Sequence, residues 1–257
     1  MKKSLKAMLA EDRVLAALIK AAGRFDLKPQ QHLNPYESLA SAIAHQQLNG
    51  TAARRILERF RALYPEGAFP TPQQLLDTPA DKLRGVGFSY AKTRALHDLA
   101  AKTIEGVVPT GEELGSLEDA AIIERLTAVR GIGRWTVEMM LMFQLGRADV
   151  LPVHDFGVRN GFRLAYGLRR MPTPRALEEF GERWRPHRSR AAWYLWRAVD
   201  LSRTNALPAA LKPAPRLAME KAVAKVKQAV RKAKAKGKAK AKAVTRKPRS
   251  PARRAHK

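Results

Sequence analysis

A short motif that occurs twice constrains the fold of this chain more than any other feature. It consists of an apolar residue, arginine, glycine, an apolar residue and glycine, at residues 83–87 (LRGVG) and 129–133 (VRGIG). Two glycines around one apolar residue allow a sharp turn between helices. They also leave N–H groups exposed where the second helix begins, and a phosphate binds there without any side chain. An ordinary turn between helices is the alternative, although two copies in a basic chain favour the anion site.

The segments around these motifs have the periodicity of amphipathic helices. Apolar residues recur at helical spacing in 39–44 and 56–60, and proline-rich loops interrupt the pattern at 64–67 and 171–174. Alternating patterns typical of β-strands are scarce. We therefore predict an all-α fold over residues 4–202.

Charge divides the chain into two parts. Residues 212–257 contain 18 lysines and arginines and one acid, which is +17 of the total of +26. This Lys/Ala-rich tail has almost nothing to bury, so we predict that it is disordered and binds DNA without sequence preference. Residues 1–211, with a charge of +9, form the predicted helical core. Both parts are expected to be attracted to a polyanion.

Several classes of protein are excluded by what the sequence lacks. There is no cysteine, so disulfides, thiolate zinc sites, cysteine nucleophiles and cysteine-ligated iron–sulfur clusters are excluded. No apolar run approaches the roughly 18 residues that span a bilayer. We expect a monomer that is not bound to a membrane and that lies in the cytoplasm, associated with the nucleoid.

An isolated carboxylate follows the second motif by about twenty residues. Asp155 ends the loop LPVHD, and Asp149 lies shortly before it. A binding turn alone suggests a passive DNA binder, whereas a carboxylate at a fixed distance from that turn suggests chemistry on the bound strand. We expect Asp149 to cap a helix or to form ion pairs at the surface.

The motifs and the loop together resemble the helix-hairpin-helix DNA glycosylases, the HhH-GPD superfamily, and within it the 3-methyladenine DNA glycosylase II branch. This resemblance implies two packed helical subdomains with the active-site cleft between them. It extends over most of residues 30–200. The segments that carry it are NPYESLASAIAHQQLNGTAARRI (34–56), LRGVGFSYAKTRALHDLA (83–100), LTAVRGIGRWTVEMMLMF (126–143), LPVHDFGVRN (151–160) and RWRPHRSRAAWYLWR (183–197).

The resemblance implies that Asp155 is the catalytic residue. Cleavage of the glycosidic bond leaves an oxocarbenium-like sugar, which a nearby carboxylate stabilises. Bifunctional relatives have a lysine at the position of Trp135, and that lysine forms a Schiff base with the sugar. The neighbouring Arg134 cannot replace it. The resemblance therefore implies hydrolysis by water, which leaves an abasic site.

The same resemblance predicts a pocket for a base that has been flipped out of the duplex. Its aromatic walls are assigned to Trp135 and Trp196, since a cationic alkylated base stacks well on an indole. Met139 stands where some relatives have a tyrosine, which changes the shape of the pocket. The residue that fills the gap in the duplex is assigned to Gln47, with Leu48 as the alternative. Bonding of Gln46 and Gln47 to loop backbone is an equally open interpretation.

Contacts to the DNA backbone are assigned to both hairpins. In the second, Gly131, Gly133 and Arg134 are expected to hold a phosphate, and Gly85 and Gly87 are their counterparts in the first. Family hairpins also bind a monovalent cation, K⁺ or Na⁺. The main-chain carbonyls of Thr127, Val129 and Ile132 would hold it here. No other cofactor is expected.

The resulting hypothesis is a monofunctional glycosylase that removes alkylated purines, of the 3-methyladenine and 7-methylguanine type, from duplex DNA. One alternative is an architectural DNA binder without catalytic activity, which the tail and hairpins would serve equally well. Another is a related glycosylase for mismatched or oxidised bases. Such enzymes often carry a four-cysteine cluster or the hairpin lysine, and this sequence has neither.

Overall fold

The computed structural model describes residues 5–29 and 34–208. Over these residues the chain forms thirteen α-helices and two single-turn 3-10 helices, with no β-strand in this part of the chain. The all-α prediction is therefore confirmed. The basic tail from Lys212 to Lys257 lies outside the described residues, as does the predicted boundary at residue 211. No described helix is both long and apolar enough to cross a membrane.

The helices are short, and most are joined by brief loops. The 3-10 turns occupy Pro65–Gly67 and Glu182–Trp184. In chain order the α-helices are α1 (Leu5–Glu11), α2 (Arg13–Ala22), α3 (Pro35–His45), α4 (Gly50–Arg61), α5 (Pro72–Leu76), α6 (Ala80–Gly85), α7 (Tyr90–Ile104), α8 (Gly111–Ser116), α9 (Asp119–Thr127), α10 (Arg134–Phe143), α11 (Phe156–Ala165), α12 (Pro174–Gly181) and α13 (Arg188–Arg203).

Local side-chain caps determine where most of these helices begin. In each case an oxygen of the residue before the helix accepts an N–H group of the first turn, which would otherwise have no partner. Helix α10 begins differently, because the residue before it is Gly133 and provides no side chain. The capping residues are Asp12, Asn34, Asn49, Thr71, Ser89, Thr110, Asp155 and Thr173.

Two groups of helices form the predicted subdomains. In the first, α7 packs against α3, α5 and α6, and α3 also packs against α4. In the second, α13 packs against α11 and α2, so this subdomain combines both ends of the described chain. Each group has its own aromatic cluster. The first surrounds Phe60, and the second surrounds Phe162.

A buried carboxylate ties the N-terminal helices to the second subdomain. Asp12 is only 4% exposed. It accepts hydrogen bonds from the Leu15 N–H (3.0 Å), the Tyr166 hydroxyl (2.6 Å) and the Trp184 indole N–H (2.8 Å). A buried carboxylate is tolerated when donors satisfy its oxygens. Asp12 therefore holds α2 against residues more than 150 positions away in the sequence.

Helices α11 and α13 cross at very short distance. Gly161 permits this approach, because a Cβ atom at that position would overlap the carbonyl oxygen of Leu195. This crossing determines the distance between the beginning of α11 and the middle of α13. The candidate site depends on that distance, since Asp155 precedes α11 and Trp196 lies on α13.

Candidate active site and nucleic-acid interface

The second glycine motif forms a tight turn between α9 and α10. Gly131 has φ +78°, in the left-handed region that favours glycine. A Cβ atom there would also lie 3.3 Å from Cβ of Ala95 on α7. The apolar residues of the motif, Val129 and Ile132, are buried in the core. The turn is therefore anchored from inside and leaves its glycines at the surface.

The start of α10 has the features of an anion site. The N–H groups of Gly131 and Gly133 donate no hydrogen bond within residues 5–29 and 34–208. The Ile132 N–H, in contrast, donates to the Val129 carbonyl (3.1 Å). Gly133 has φ −92° and caps the helix without a side chain. Unpaired N–H groups and the positive end of a helix dipole attract a phosphate.

Neighbouring elements hold this turn in place. The Asp98 carboxylate on α7 accepts the Arg130 N–H (2.6 Å) and lies 3.3 Å from the Lys102 ammonium. From the other side, the Gln46 side chain donates to the Gly131 carbonyl (2.8 Å). The turn is thereby braced by both α7 and the loop after α3.

The first glycine motif forms a different turn. Gly85 lies inside the last turn of α6, and the Gly87 N–H donates to the Arg84 carbonyl (2.9 Å). The Ser89 hydroxyl caps α7 by accepting the Lys92 N–H (3.3 Å). The Gly87 N–H is therefore used within its own turn, unlike the N–H groups of Gly131 and Gly133. Phosphate binding at Gly85 and Gly87 stays a prediction.

Asp155 lies at the centre of a group of hydrogen-bond donors. Its Oδ2 accepts the Trp135 indole N–H (2.7 Å). Its Oδ1 accepts the Trp196 indole N–H (2.8 Å) and, as the cap of α11, the Val158 N–H (2.6 Å). All three donors fix the orientation of the carboxylate. The arrangement suits stabilisation of a positive charge beside Asp155.

The packing around Trp196 explains its position. A Cβ atom on Gly157 would lie 2.7 Å from Cδ1 of the Trp196 ring, so glycine leaves room for the indole. The ring also stacks on Phe143, with centroids 5.6 Å apart and an interplanar angle of 29°. Trp196 therefore contacts both the Asp155 carboxylate and Phe143 at the end of α10.

A cavity of about 370 Å³ lies between α3 and α10, and one of its lining residues is Trp135, which donates to Asp155. Three of the predicted site residues, Trp135, Met139 and Gln47, lie around it. Trp196, predicted as a second aromatic wall, does not line this cavity but contacts Asp155 and Phe143. The remaining lining residues are Ser38, Leu39, Ala42, His45, Gln46, Thr136, Met140, Phe143 and Gln144.

The loop after α3 presents both candidates for the gap-filling residue. Gln47 has φ +57° and is exposed, and Leu48 is 40% exposed. The Lys92 ammonium donates to the Ala44 carbonyl (2.8 Å) at the base of this loop, and burial lowers the pKa of that amine. Of the two glutamines, Gln46 bonds to backbone, as the open interpretation allowed, whereas Gln47 lies at the surface.

Two other charged groups near the site have structural partners. Asp149 pairs with Arg185 (2.6 Å) and Arg188 (2.8 Å), as expected for a surface acid. On α10, the exposed Arg134 side chain pairs with the buried Glu138 carboxylate (2.9 Å). Burial raises the pKa of Glu138, and the hydrogen bond from Arg134 opposes that shift.

Several residues of the site were not predicted from the sequence. Phe143 ends α10, Gln144 follows it, and Asp98 lies on α7. No local pattern distinguishes them from ordinary core or surface residues. Only the position of Phe143 and Gln144, close after the second motif, could have indicated their proximity to the pocket.

Comparisons with known proteins identify the family of this chain. The family model of the HhH-GPD superfamily base excision DNA repair proteins matches residues 40–186. The chain is 42% identical over 188 residues to DNA-3-methyladenine glycosylase 1 of Schizosaccharomyces pombe, which covers 72% of this chain and 82% of that protein.

Two solved structures are similar in fold as well as in sequence. One is S. pombe 3-methyladenine DNA glycosylase (Mag1) in complex with abasic DNA, with a TM-score of 0.65, 41% identity and coverage of 74% of this chain and 93% of that chain. The other is DNA-3-methyladenine glycosidase from Bacillus halodurans, with a TM-score of 0.70, 35% identity and coverage of 79% and 94%. This chain belongs to the HhH-GPD superfamily of base excision DNA repair proteins.

Proposed function

We propose that this protein is a monofunctional DNA glycosylase that hydrolyses the N-glycosidic bond of alkylated purines in duplex DNA. The observation that carries the proposal is the Asp155 carboxylate, which accepts the indole N–H groups of Trp135 and Trp196, together with the cavity between α3 and α10 that Trp135 lines. The similar proteins named as 3-methyladenine glycosylases support the choice of substrate. A DNA binder without catalytic activity has no use for a carboxylate beside a DNA strand.

The reaction follows from the charges of its partners. Methylation at a ring nitrogen makes the base cationic. When the bond from C1′ of the sugar to the base nitrogen breaks, its electrons stay with the base, which leaves as a neutral molecule and needs no general acid. The sugar becomes oxocarbenium-like, and the Asp155 carboxylate stabilises that charge. Water then adds its oxygen to C1′ and releases a proton, and an abasic site remains.

The two residues at the start of α10 support hydrolysis. Trp135 occupies the position at which bifunctional relatives have a lysine, and its indole N–H is bound to Asp155. Arg134 forms an ion pair with Glu138, and its guanidinium is not an amine nucleophile. Neither side chain can form a Schiff base with the sugar.

The remaining residues fit the binding of a flipped nucleotide. The Trp135 ring is 50% exposed at the cavity, where a cationic base can stack on it, and Met139 contributes a polarisable side chain. Gln47 or Leu48 would fill the gap left in the duplex. Gly131 and Gly133 would donate their N–H groups to a phosphate near the lesion.

A monovalent cation at the second hairpin is part of the same proposal. The carbonyls of Thr127, Val129 and Ile132 are neutral oxygen donors at one turn, which is the donor set that K⁺ or Na⁺ accepts. Within the described residues, the Thr127 and Ile132 carbonyls accept no hydrogen bond outside their helices, so their lone pairs are available. A cation held there would add positive charge next to the phosphate.

The decisive experiment compares wild type with Asp155→Asn in single-turnover release of methylated bases from alkylated duplex DNA. We expect the variant to lose at least about 100-fold in rate, because the negative charge beside the sugar is removed. Its affinity for DNA should change little, since Asn keeps the shape and an oxygen acceptor. Asp149→Asn is the matched control and should retain its rate.

Two results would contradict the proposal. One is an Asp155→Asn variant that excises bases at the rate of wild type. The other is a covalent protein–DNA adduct trapped by borohydride, which would require an amine nucleophile and a bifunctional mechanism.

A further inference from the structure

The loop after α3 is bound to both hairpins. At its start, the Lys92 ammonium of α7, the second helix of the first hairpin, donates to the Ala44 carbonyl (2.8 Å). Further along, the Gln46 side chain donates to the Gly131 carbonyl of the second hairpin (2.8 Å), although the two residues are 85 positions apart. The exposed Gln47, a candidate for filling the gap in the duplex, follows directly.

The hydrogen bond from Gln46 acts on one particular peptide group of the second turn. The peptide between Gly131 and Ile132 lies between the two peptides whose N–H groups, those of Gly131 and Gly133, have no acceptor in residues 5–29 and 34–208. Its own N–H donates to the Val129 carbonyl (3.1 Å), and its carbonyl accepts from Gln46 (2.8 Å). This peptide is held at both ends, so it fixes the directions of the two free N–H groups.

The glycines of the second turn make such a restraint necessary. Gly131 has φ +78°, and a residue without a Cβ atom changes its backbone angles at little cost. Hydrogen bonds weaken steeply when the donor points away from the acceptor, so two N–H groups bind one phosphate well only while both point at it. Asp98 restrains the turn through the Arg130 N–H (2.6 Å), and Gln46 restrains the peptide that joins the two donors.

The same loop holds Gln47 in an uncommon backbone conformation. Its φ of +57° lies in the left-handed region, which is unfavourable for a residue with a side chain. Such a conformation persists where the surroundings determine it, and it is frequent at functional sites. Here the Leu48 N–H closes the turn by donating to the His45 carbonyl (3.2 Å), and the side chain of Gln46 is fixed on the second hairpin. Gln46 therefore connects the gap-filling loop to the phosphate site.

We propose that Gln46 is a positioning residue that links two contacts with DNA. Its amide orients the free N–H groups of the second hairpin toward a phosphate, and its place in the loop holds Gln47 for insertion into the gap in the duplex. This inference rests on the proposed glycosylase function, because an enzyme that flips a nucleotide out of the duplex needs both contacts at once.

The test measures equilibrium binding of the full-length protein to a duplex with an abasic-site analogue, which has no base to release. In further duplexes, a neutral methylphosphonate replaces each phosphate near the analogue in turn. The variant is Gln46→Met, which keeps an unbranched side chain of similar length but has no donor. Gln73→Met is the matched control, because the Gln73 amide also donates a hydrogen bond, to Asp77 and not to a hairpin.

In wild type we expect one methylphosphonate position to weaken binding about tenfold, since it removes the charge that accepts the two N–H groups. In Gln46→Met the same replacement should weaken binding less than about threefold, because these N–H groups are no longer held toward the phosphate. Gln73→Met should behave as wild type. The melting temperature of Gln46→Met should change little, since it loses one hydrogen bond at a partly exposed position.

A double-mutant cycle tests the link to Gln47. Gln47→Ala should weaken binding to the unmodified duplex in the wild-type background and have little further effect in Gln46→Met. The two losses are then not additive, as expected for residues that act through one another.

Three outcomes would overturn the inference. They are a wild type that no methylphosphonate weakens, an equal penalty at the sensitive phosphate in wild type and Gln46→Met, and additive losses in the double-mutant cycle. An equal penalty together with a lower melting temperature of Gln46→Met would show that the side chain only supports the fold. Failure of the proposed function gives a separate signal, since wild type would then release no base from alkylated DNA while binding to the analogue could still be compared.

Discussion

The two glycine hairpins have the same sequence motif and almost opposite structures. In the first, the left-handed residue is the second glycine, Gly87, with φ +114°. In the second it is the first glycine, Gly131, with φ +78°. The Gly87 N–H is used inside its own turn, whereas the N–H groups of Gly131 and Gly133 have no acceptor among the described residues.

The residues that follow the motif account for this difference. After the first motif come a buried phenylalanine, Phe88, and a serine, Ser89, whose hydroxyl caps α7. After the second come the exposed side chains of Arg134 and Trp135, and α10 starts without a side-chain cap. A hairpin whose glycine N–H bonds within its own turn, as that of Gly87 does, supports the fold. A hairpin that leaves them open can bind an anion.

The largest effect on stability is expected in the first hairpin. Gly87→Ala would put a Cβ atom 3.0 Å from both Ile56 and Arg59 and hold alanine in the left-handed region. The free energy of unfolding in urea should fall by about 2 kcal/mol or more. Gly85→Ala is the control, because it is helical with open space around it and should be neutral or stabilising. Equal stability of both variants would mean that Gly87 is under no such constraint.

A carboxylate placed before α10 should accept the free N–H groups of the first turn, so that the second hairpin no longer offers them to an anion. Gly133 has a φ that any residue adopts, and a Cβ atom there would have no neighbour within 4 Å, so Gly133→Asp fits and can cap α10. We expect stability to change by only a few tenths of a kcal/mol. The dissociation constant for a duplex with an abasic-site analogue should rise at least about tenfold, because the carboxylate repels the phosphate.

Gly133→Ala provides the control for that substitution, since it adds a Cβ atom but keeps the N–H groups free. Its affinity for DNA should stay close to that of wild type. If Gly133→Asp bound DNA as tightly as Gly133→Ala, the open end of α10 would not be the phosphate site.

The motif arginines offer a smaller contrast, measured through salt. Arg130 of the second motif is exposed, and its backbone N–H donates to Asp98, while its side chain has no partner among residues 5–29 and 34–208. Arg84 of the first lies 3.6 Å from the centre of the Tyr90 ring and donates to its hydroxyl. Arg130→Ala should reduce the slope of log K against log salt concentration by about 1, whereas Arg84→Ala should leave it unchanged. If Arg84→Ala alone reduced the salt dependence of binding, the first hairpin and not the second would be the one that contacts a phosphate.

The smallest effect concerns pH and a titratable residue in the helix after each turn, Glu138 in the second hairpin and Lys92 in the first. Burial raises the pKa of Glu138, so the folded state binds the proton more tightly than the unfolded state. Its contribution to stability therefore decreases as pH rises through the range above the ordinary pKa of glutamate. The charged groups that act on it are Arg134, His154 and Asp155.

The Glu138→Gln substitution should make the free energy of unfolding less dependent on pH above the ordinary pKa of glutamate. Urea titration at several pH values measures this dependence. The same pH dependence in variant and wild type would show that other groups cause it. Lys92→Met is the matched variant in the first hairpin. It should leave the acid-range dependence intact, because burial lowers the pKa of that amine and its effect lies at alkaline pH.

The all-α fold could be predicted from the sequence, and so could the proximity of the second motif, Trp135 and Asp155, since both depend on local patterns. The motif, Trp135 and Asp155 lie within 27 residues of one another, and one turn and one loop bring them together. The different turn around Gly85 and Gly87 and the position of Trp196 outside the cavity could not be predicted from local patterns. Which N–H groups a turn uses, and which wall an indole joins, depend on Gly157, Gly161 and other contacts between distant helices.

The hydrogen bonds of Asp12 have a consequence for how the molecule is assembled. Two of its partners, Tyr166 and Trp184, are 154 and 172 residues further along the chain. During synthesis, α2 emerges early. The Asp12 carboxylate that caps it gains its last hydrogen-bond donor only after Trp184 has been added. The subdomain that positions Asp155 can thus close only late, and contacts over such long sequence separations slow folding. A nascent chain that stops before residue 184 contains the second hairpin with its uncapped α10, but it lacks α13 and therefore the Trp196 indole that binds Asp155.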